Sequence, residues 1–149
     1  MKELEYPFDS SFLLQKRRKL KKALLADGSA RMEKRIAVLG GSTTNDIVSM
    51  LELFLLNCGI QPVFYQSEYA QYWQDAMFDA PELAAFQPDL IFIHTTSRNI
   101  TEAPLPLSAS EQEVQDALER QYTHFTQMWE HLAATYHCPI LQNNFELPA

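Results

Sequence analysis

The stretch Ile36-Ala37-Val38-Leu39-Gly40-Gly41-Ser42-Thr43-Thr44-Asn45-Asp46 limits the possible folds more than any other part of the chain. It opens as a short apolar run of buried-strand type. Two glycines follow, where the backbone can turn sharply. Ser42 to Asn45 then supply hydroxyls and an amide able to cap a helix. That helix is expected from about Asp46 to Cys58, with Ile47, Leu51 and Leu55 spaced along one face. The next strand, reached through a helix, is then parallel to the first. The turn also leaves unpaired N–H groups aimed at one spot, which favours an anion or a developing oxyanion. Ser42 is there either a cap or a nucleophile, and caps are the commoner use of such a serine.

The rest of the chain repeats this alternation. Asp9 or Ser10 caps a first helix of roughly Ser11 to Ala26, with Phe12, Leu13, Leu20 and Leu24 as its apolar side. Gln61 to Gln66 reads as the second strand, and Gly59 ends the helix before it. Ser67 to Phe86 is aromatic and partly helical, with Asp79-Ala80-Pro81 starting a short second helix. Pro88 to Thr95 is the clearest strand, with the near-continuous apolar run of a strand covered on both faces. A capping box at Ser108-Ala109-Ser110-Glu111 is expected to open a long helix. Its apolar stripe is Val114, Leu118, Tyr122, Phe125, Trp129, Leu132 and Tyr136. Pro139 to Gln142 forms the last strand.

This pattern predicts a single α/β domain over residues 1–149, a three-layer, flavodoxin-like arrangement with a parallel sheet in the order 2-1-3-4. The first helix lies on or beside it. The chain reverses its winding direction between the first and third strands, and ligands of open α/β sheets bind above that point. The loops there carry Gly40, Gly41, Ser42, Thr43, Thr44 and Asn45 on one side and Ser97, Arg98 and Asn99 on the other. These are the candidate ligand-binding residues.

The net charge of −7 conceals a split. Residues before Ile36 carry about +5, and the remainder, whose basic residues are Arg98 and Arg120, carries about −12. An acidic body disfavours generic nucleic-acid binding. The basic run Lys16-Arg17-Arg18-Lys19 with Lys21-Lys22 suits an acidic partner or a solvated helix face. No apolar run reaches the roughly 20 residues of a membrane span, and the N-terminus lacks a signal-peptide core. A cytoplasmic location is the expectation. Cys58 and Cys138 are expected as core or near-core thiols rather than a disulfide. His124 and His131 lack the companions of a metal site, so no metal or cofactor is expected.

Several segments appear in a telling order: Tyr6-Pro7-Phe8-Asp9, the basic run Lys16 to Lys22, Gly41-Ser42-Thr43-Thr44, Trp73 to Phe78, His94 to Asn99, and Gln142-Asn143-Asn144-Phe145-Glu146. Together they resemble the N-terminal domain of FkbH-like proteins, a branch of the haloacid-dehalogenase superfamily. The resemblance implies a fold related to the SGNH hydrolases. It also implies a phosphatase-like domain as neighbour and an acyl carrier protein as partner. Some family members move a glyceryl unit from a phosphorylated glycerate to such a carrier. Ser42 matches the nucleophile of the SGNH Gly-Asp-Ser block, but Gly41 stands where the block has Asp. Asn99 matches the oxyanion-hole Asn, but Ile100 stands where Asp follows it. The Asp-x-x-His block that supplies the base occurs nowhere in the chain. A serine without a base is a poor nucleophile near neutral pH. The expectation is therefore a non-catalytic or partly degenerate module that binds a small anion or acyl group, or docks the phosphatase-like domain or carrier. The competing expectation is a Ser42-dependent acyl or glyceryl transferase or esterase with a base from outside the chain.

Overall fold

The computed structural model describes residues 1–145. Glu146, the last residue of the Gln142–Glu146 segment, lies outside the described residues. The four strands among the described residues are β1 (Met32–Gly40), β2 (Ile60–Gln66), β3 (Leu90–His94) and β4 (Ile140–Gln142). All neighbours are parallel and the order is β2-β1-β3-β4, as the alternation requires. Among the same residues they are accompanied by the α-helices α1 (Ser10–Ala26), α2 (Asn45–Asn57), α3 (Tyr72–Met77), α4 (Pro81–Phe86) and α5 (Glu111–Tyr136). A short 3-10 turn, Ser97–Asn99, follows β3.

Period-2 alternation divides the strand residues between two cores. Ala37, Leu39, Ile91 and Ile93 point to one side and pack with Tyr72, Ala76, Leu83, Phe125, Met128 and Leu132 from α3, α4 and α5. Ile36 and Val38 point to the other and meet Val48 and Leu55 of α2. The Tyr65 hydroxyl donates to Asp75 at 2.9 Å, tying β2 to α3.

The first helix does not touch the sheet as a layer of its own. α1 stacks outside α2, with Leu13, Leu20 and Leu24 packed on Leu53 and Leu56. Asp9 is its N-cap and accepts from the Phe12 N–H at 3.0 Å. Phe12, expected on the buried side, is instead exposed. Because α2 is covered on both sides, it buries Val48, Leu53 and Leu56, not the single Ile47-Leu51-Leu55 stripe. Ile47 and Leu51 line a shallow apolar surface with Leu14, Met50 and Phe54.

Three further expectations are corrected. The capping box of α5 sits two residues later, with Ser110 as N-cap and Glu113 as the reciprocating side chain. Cys58 is exposed at the end of α2, since the helix ends on the rim of the sheet. The α5 stripe is buried only in its second half. Val114, Leu118 and Tyr122 are 52%, 61% and 63% exposed, whereas Phe125 and Leu132 are buried. A helix of 26 residues is about 39 Å long, and the five-residue strand β3 spans about 17 Å, so α5 overshoots the sheet.

Candidate functional site at the carboxyl ends of β1 and β3

The register pairs Gly40 with His94, so the turns after β1 and β3 leave the sheet side by side. The Gly41 N–H donates to the His94 carbonyl at 2.8 Å, extending the ladder by one bond. Asn99 then reaches across from the next turn. Its Nδ2 donates to the Gly41 carbonyl at 3.1 Å, and its Oδ1 accepts from the Thr96 N–H at 2.9 Å. The side chain is a strap between the two loops, and it closes the 3-10 turn as a capping box with Thr96.

This strap explains the second glycine. A Cβ built on Gly41 would collide with the Asn99 amide. At Gly40 a Cβ would meet the Thr44 side chain at 2.6 Å and the Ser42 carbonyl at 2.9 Å. Neither glycine has a positive φ; each is required by close approach.

Similar straps hold the neighbouring strand ends. Ser67, just past β2, accepts from the Gly40 N–H at 2.8 Å. The Thr44 hydroxyl, at the N-cap of α2, turns to Gln66 Oε1 at 3.3 Å and makes no cap bond to the helix. Asn143, just past β4, accepts from the Thr95 N–H at 2.9 Å and donates to the Thr95 carbonyl at 2.8 Å. Gln142 Nε2 donates to the buried Thr95 hydroxyl, while its Oε1 accepts from Trp129 Nε1 at 2.6 Å. The roles of Ser67, Gln66 and Asn143 escape the sequence reading. The one available signal is that each polar residue follows immediately on, or ends, a strand.

Ser42 stands half-buried in the middle of this set. Its hydroxyl makes no hydrogen bond to an imidazole, a carboxylate or any other group among the described residues. The N–H groups of Ser42, Thr43, Asn45 and Asp46 likewise have no acceptor among the described residues. They lie at the N-terminus of α2, where the macrodipole is positive. The donors expected to converge on one oxygen are thus only partly available. The Gly41 N–H is taken by His94, and the Asn99 amide by Gly41 and Thr96. What remains is the Ser42 hydroxyl with the Ser42–Asp46 amides. Asp46 adds an exposed carboxylate there, in an ion pair of 3.5 Å with Arg17 of α1. His94 shares the α2-facing side of β3 with Phe92, the ring centroids 6.2 Å apart.

Ser97 and Arg98 face elsewhere. They line a cleft against α5, while Asn99 between them and Ile100 in sequence turns to Gly41. Among the described residues no group of three His, Cys, Asp or Glu side chains is placed to hold a metal. No helix among them is long and apolar enough to cross a membrane.

No protein-family model matches the sequence, and no curated protein does. Among solved structures, the chain is similar to the N-terminal part of the protein BF1531 from Bacteroides fragilis, which contains a phosphatase domain and was crystallised with Mg. The TM-score is 0.66 at 17% identity, over 89% of this chain. The chain spans about a third of that chain's length, 34%. At this identity the likeness is one of fold.

Proposed function

We propose that this chain is a non-catalytic module of the FkbH-like, SGNH-related kind, whose β1 and β3 loops bind a small anion or acyl group. The observation that carries the reading is the state of its two motif residues. The Ser42 hydroxyl is hydrogen-bonded to no base among the described residues, and the Asn99 amide braces the neighbouring loop. Free amides at the start of α2 still suit a carboxylate or phosphate oxygen. A phosphatase-like domain is the proposed neighbour, supported by the composition of BF1531. An acyl carrier protein is the proposed acidic partner of α1. Lys16, Arg18, Lys19 and Lys22 are exposed there and make no ion pair among the described residues. Arg17 and Lys21 are instead paired with Asp46 and Glu52 of α2.

The experiment is a titration with acetate and with inorganic phosphate, followed by amide chemical shifts. The reading predicts saturable shifts at Ser42–Asp46, weakened in Ser42→Val, which removes one donor and keeps the amides. Shifts scattered over the surface, or none at these amides, would contradict it. A second reading, Ser42-dependent acyl or glyceryl transfer with an external base, is favoured by the unpartnered hydroxyl beside those amides.

A further inference from the structure

The half of α5 that overshoots the sheet is not bare helix. With the segment after the 3-10 turn it lines an open cleft of about 820 Å³. Its apolar walls are Ile100, Pro104, Leu105, Val114, Leu118 and Phe145. That volume falls within the range of small-molecule sites, about 300–1,000 Å³.

Charge decides what such a cleft accepts. The body after Ile36 has two basic residues, Arg98 and Arg120. Arg120 is neutralised, donating to Glu102 from Nε at 3.1 Å and from Nη2 at 2.9 Å. The same pairing holds the Glu102 carboxyl below its usual range, so the acid on the cleft wall has its partner. The Arg98 guanidinium, at the cleft's edge, has no ion pair or hydrogen bond among the described residues. Among the described residues of the acidic body it is the cation left without a partner, beside a wall of exposed aliphatic side chains. The main chain of the segment is held independently, since Gln121 Oε1 accepts from the Thr101 N–H at 2.8 Å and from the Glu102 N–H at 3.2 Å.

We propose that this cleft binds a straight-chain carboxylate, with Arg98 on the head group and the chain laid between residues 100–105 and the first half of α5. This goes beyond the anion site at Ser42, because the head group sits on a different side chain and the cleft does not include Ser42. Each methylene removed from water contributes about 0.8 kcal/mol, about fourfold in affinity. A charge-assisted bond to Arg98 accounts for about a further tenfold.

The test is binding of acetate, hexanoate, octanoate and octanol to the whole chain, by calorimetry and by amide shifts. The proposal predicts affinity rising about fourfold per methylene from hexanoate to octanoate. Octanoate should shift amides at 98–105 and 114–121, and octanol should bind about tenfold more weakly. Arg98→Gln should reduce octanoate binding to the level of octanol. Leu118→Asp, at an exposed position that leaves folding intact, should abolish it. Affinity independent of chain length, octanol equal to octanoate, or full binding by Leu118→Asp would each overturn the proposal. Octanoate shifts confined to Ser42–Asp46 would overturn it while supporting the anion site. Octanoate shifts on α5 without acetate shifts at Ser42 would do the reverse.

Discussion

Gly41 and Asn99 act as one unit although they lie 58 residues apart in sequence. Removing either releases the other. Asn99→Ala loses the bonds to Gly41 and Thr96, and Gly41→Ala displaces the amide by steric conflict. Each single variant should lower unfolding free energy by about 1–3 kcal/mol, and the pair should be strongly sub-additive in a double-mutant cycle by denaturant unfolding. Additive effects would mean that the strap carries no joint stability. This contact was not legible in the sequence. Gly-Gly-Ser reads as a turn from local chemistry, but the reason for the second glycine sits on another strand's loop. His124 offers a residue-scale test away from the site. Its ring stacks on Trp73 at 3.7 Å, and Nε2 is buried without a partner among the described residues. Burial holds the imidazole below its ordinary range. The unfolded chain therefore takes up the proton first as pH falls. The stabilising effect of the neutral ring is fully present above the unfolded value of about 6.5 and is lost on acidification through it. Thermal melts of His124→Phe should show less loss of Tm between neutral pH and pH 5 than wild type; parallel curves would contradict this.

Helix α1 shows what a charge pattern does and does not reveal. The basic run was plain in the sequence, with its two uses left open. In the structure Arg17 and Lys21 pair with α2 of the same chain, and Lys16, Arg18, Lys19 and Lys22 face solvent. Exposed ion pairs contribute only about 0–1 kcal/mol, so reversal to Glu at Arg17 and Lys21 should lower Tm slightly. Reversal at the other four should leave Tm nearly unchanged, weaken binding of an acyl carrier protein and flatten its salt dependence. Carrier binding that is unchanged across a salt series would leave these four as a solvated face. Helix α5 carries the opposite lesson. Its stripe of period 3.6 was legible, but periodicity reports an amphipathic face and not how far the sheet beneath it extends. The three-residue strand β4 and the five-residue β3 end before the helix does, so Val114, Leu118 and Tyr122 are uncovered.

At the scale of the molecule, topology was the most legible property. Apolar runs separated by helices must pair in parallel, and right-handed crossovers leave few strand orders. The order fixes which loops meet, and so brings Ser42 and Asn99 to one end of the sheet. It does not fix how those loops spend their hydrogen-bonding groups. That depends on side chains such as Ser67, Asn99 and Asn143, which hold strand ends together and leave the Ser42 hydroxyl and nearby amides without partners among the described residues. We propose that this arrangement binds without catalysing. The most direct measurement is release of p-nitrophenol from p-nitrophenyl acetate by wild type and Ser42→Ala at equal concentration near neutral pH. The same slow rate is predicted for both, since the hydroxyl is hydrogen-bonded to no base among the described residues. Substantial turnover by wild type that disappears in Ser42→Ala would contradict it.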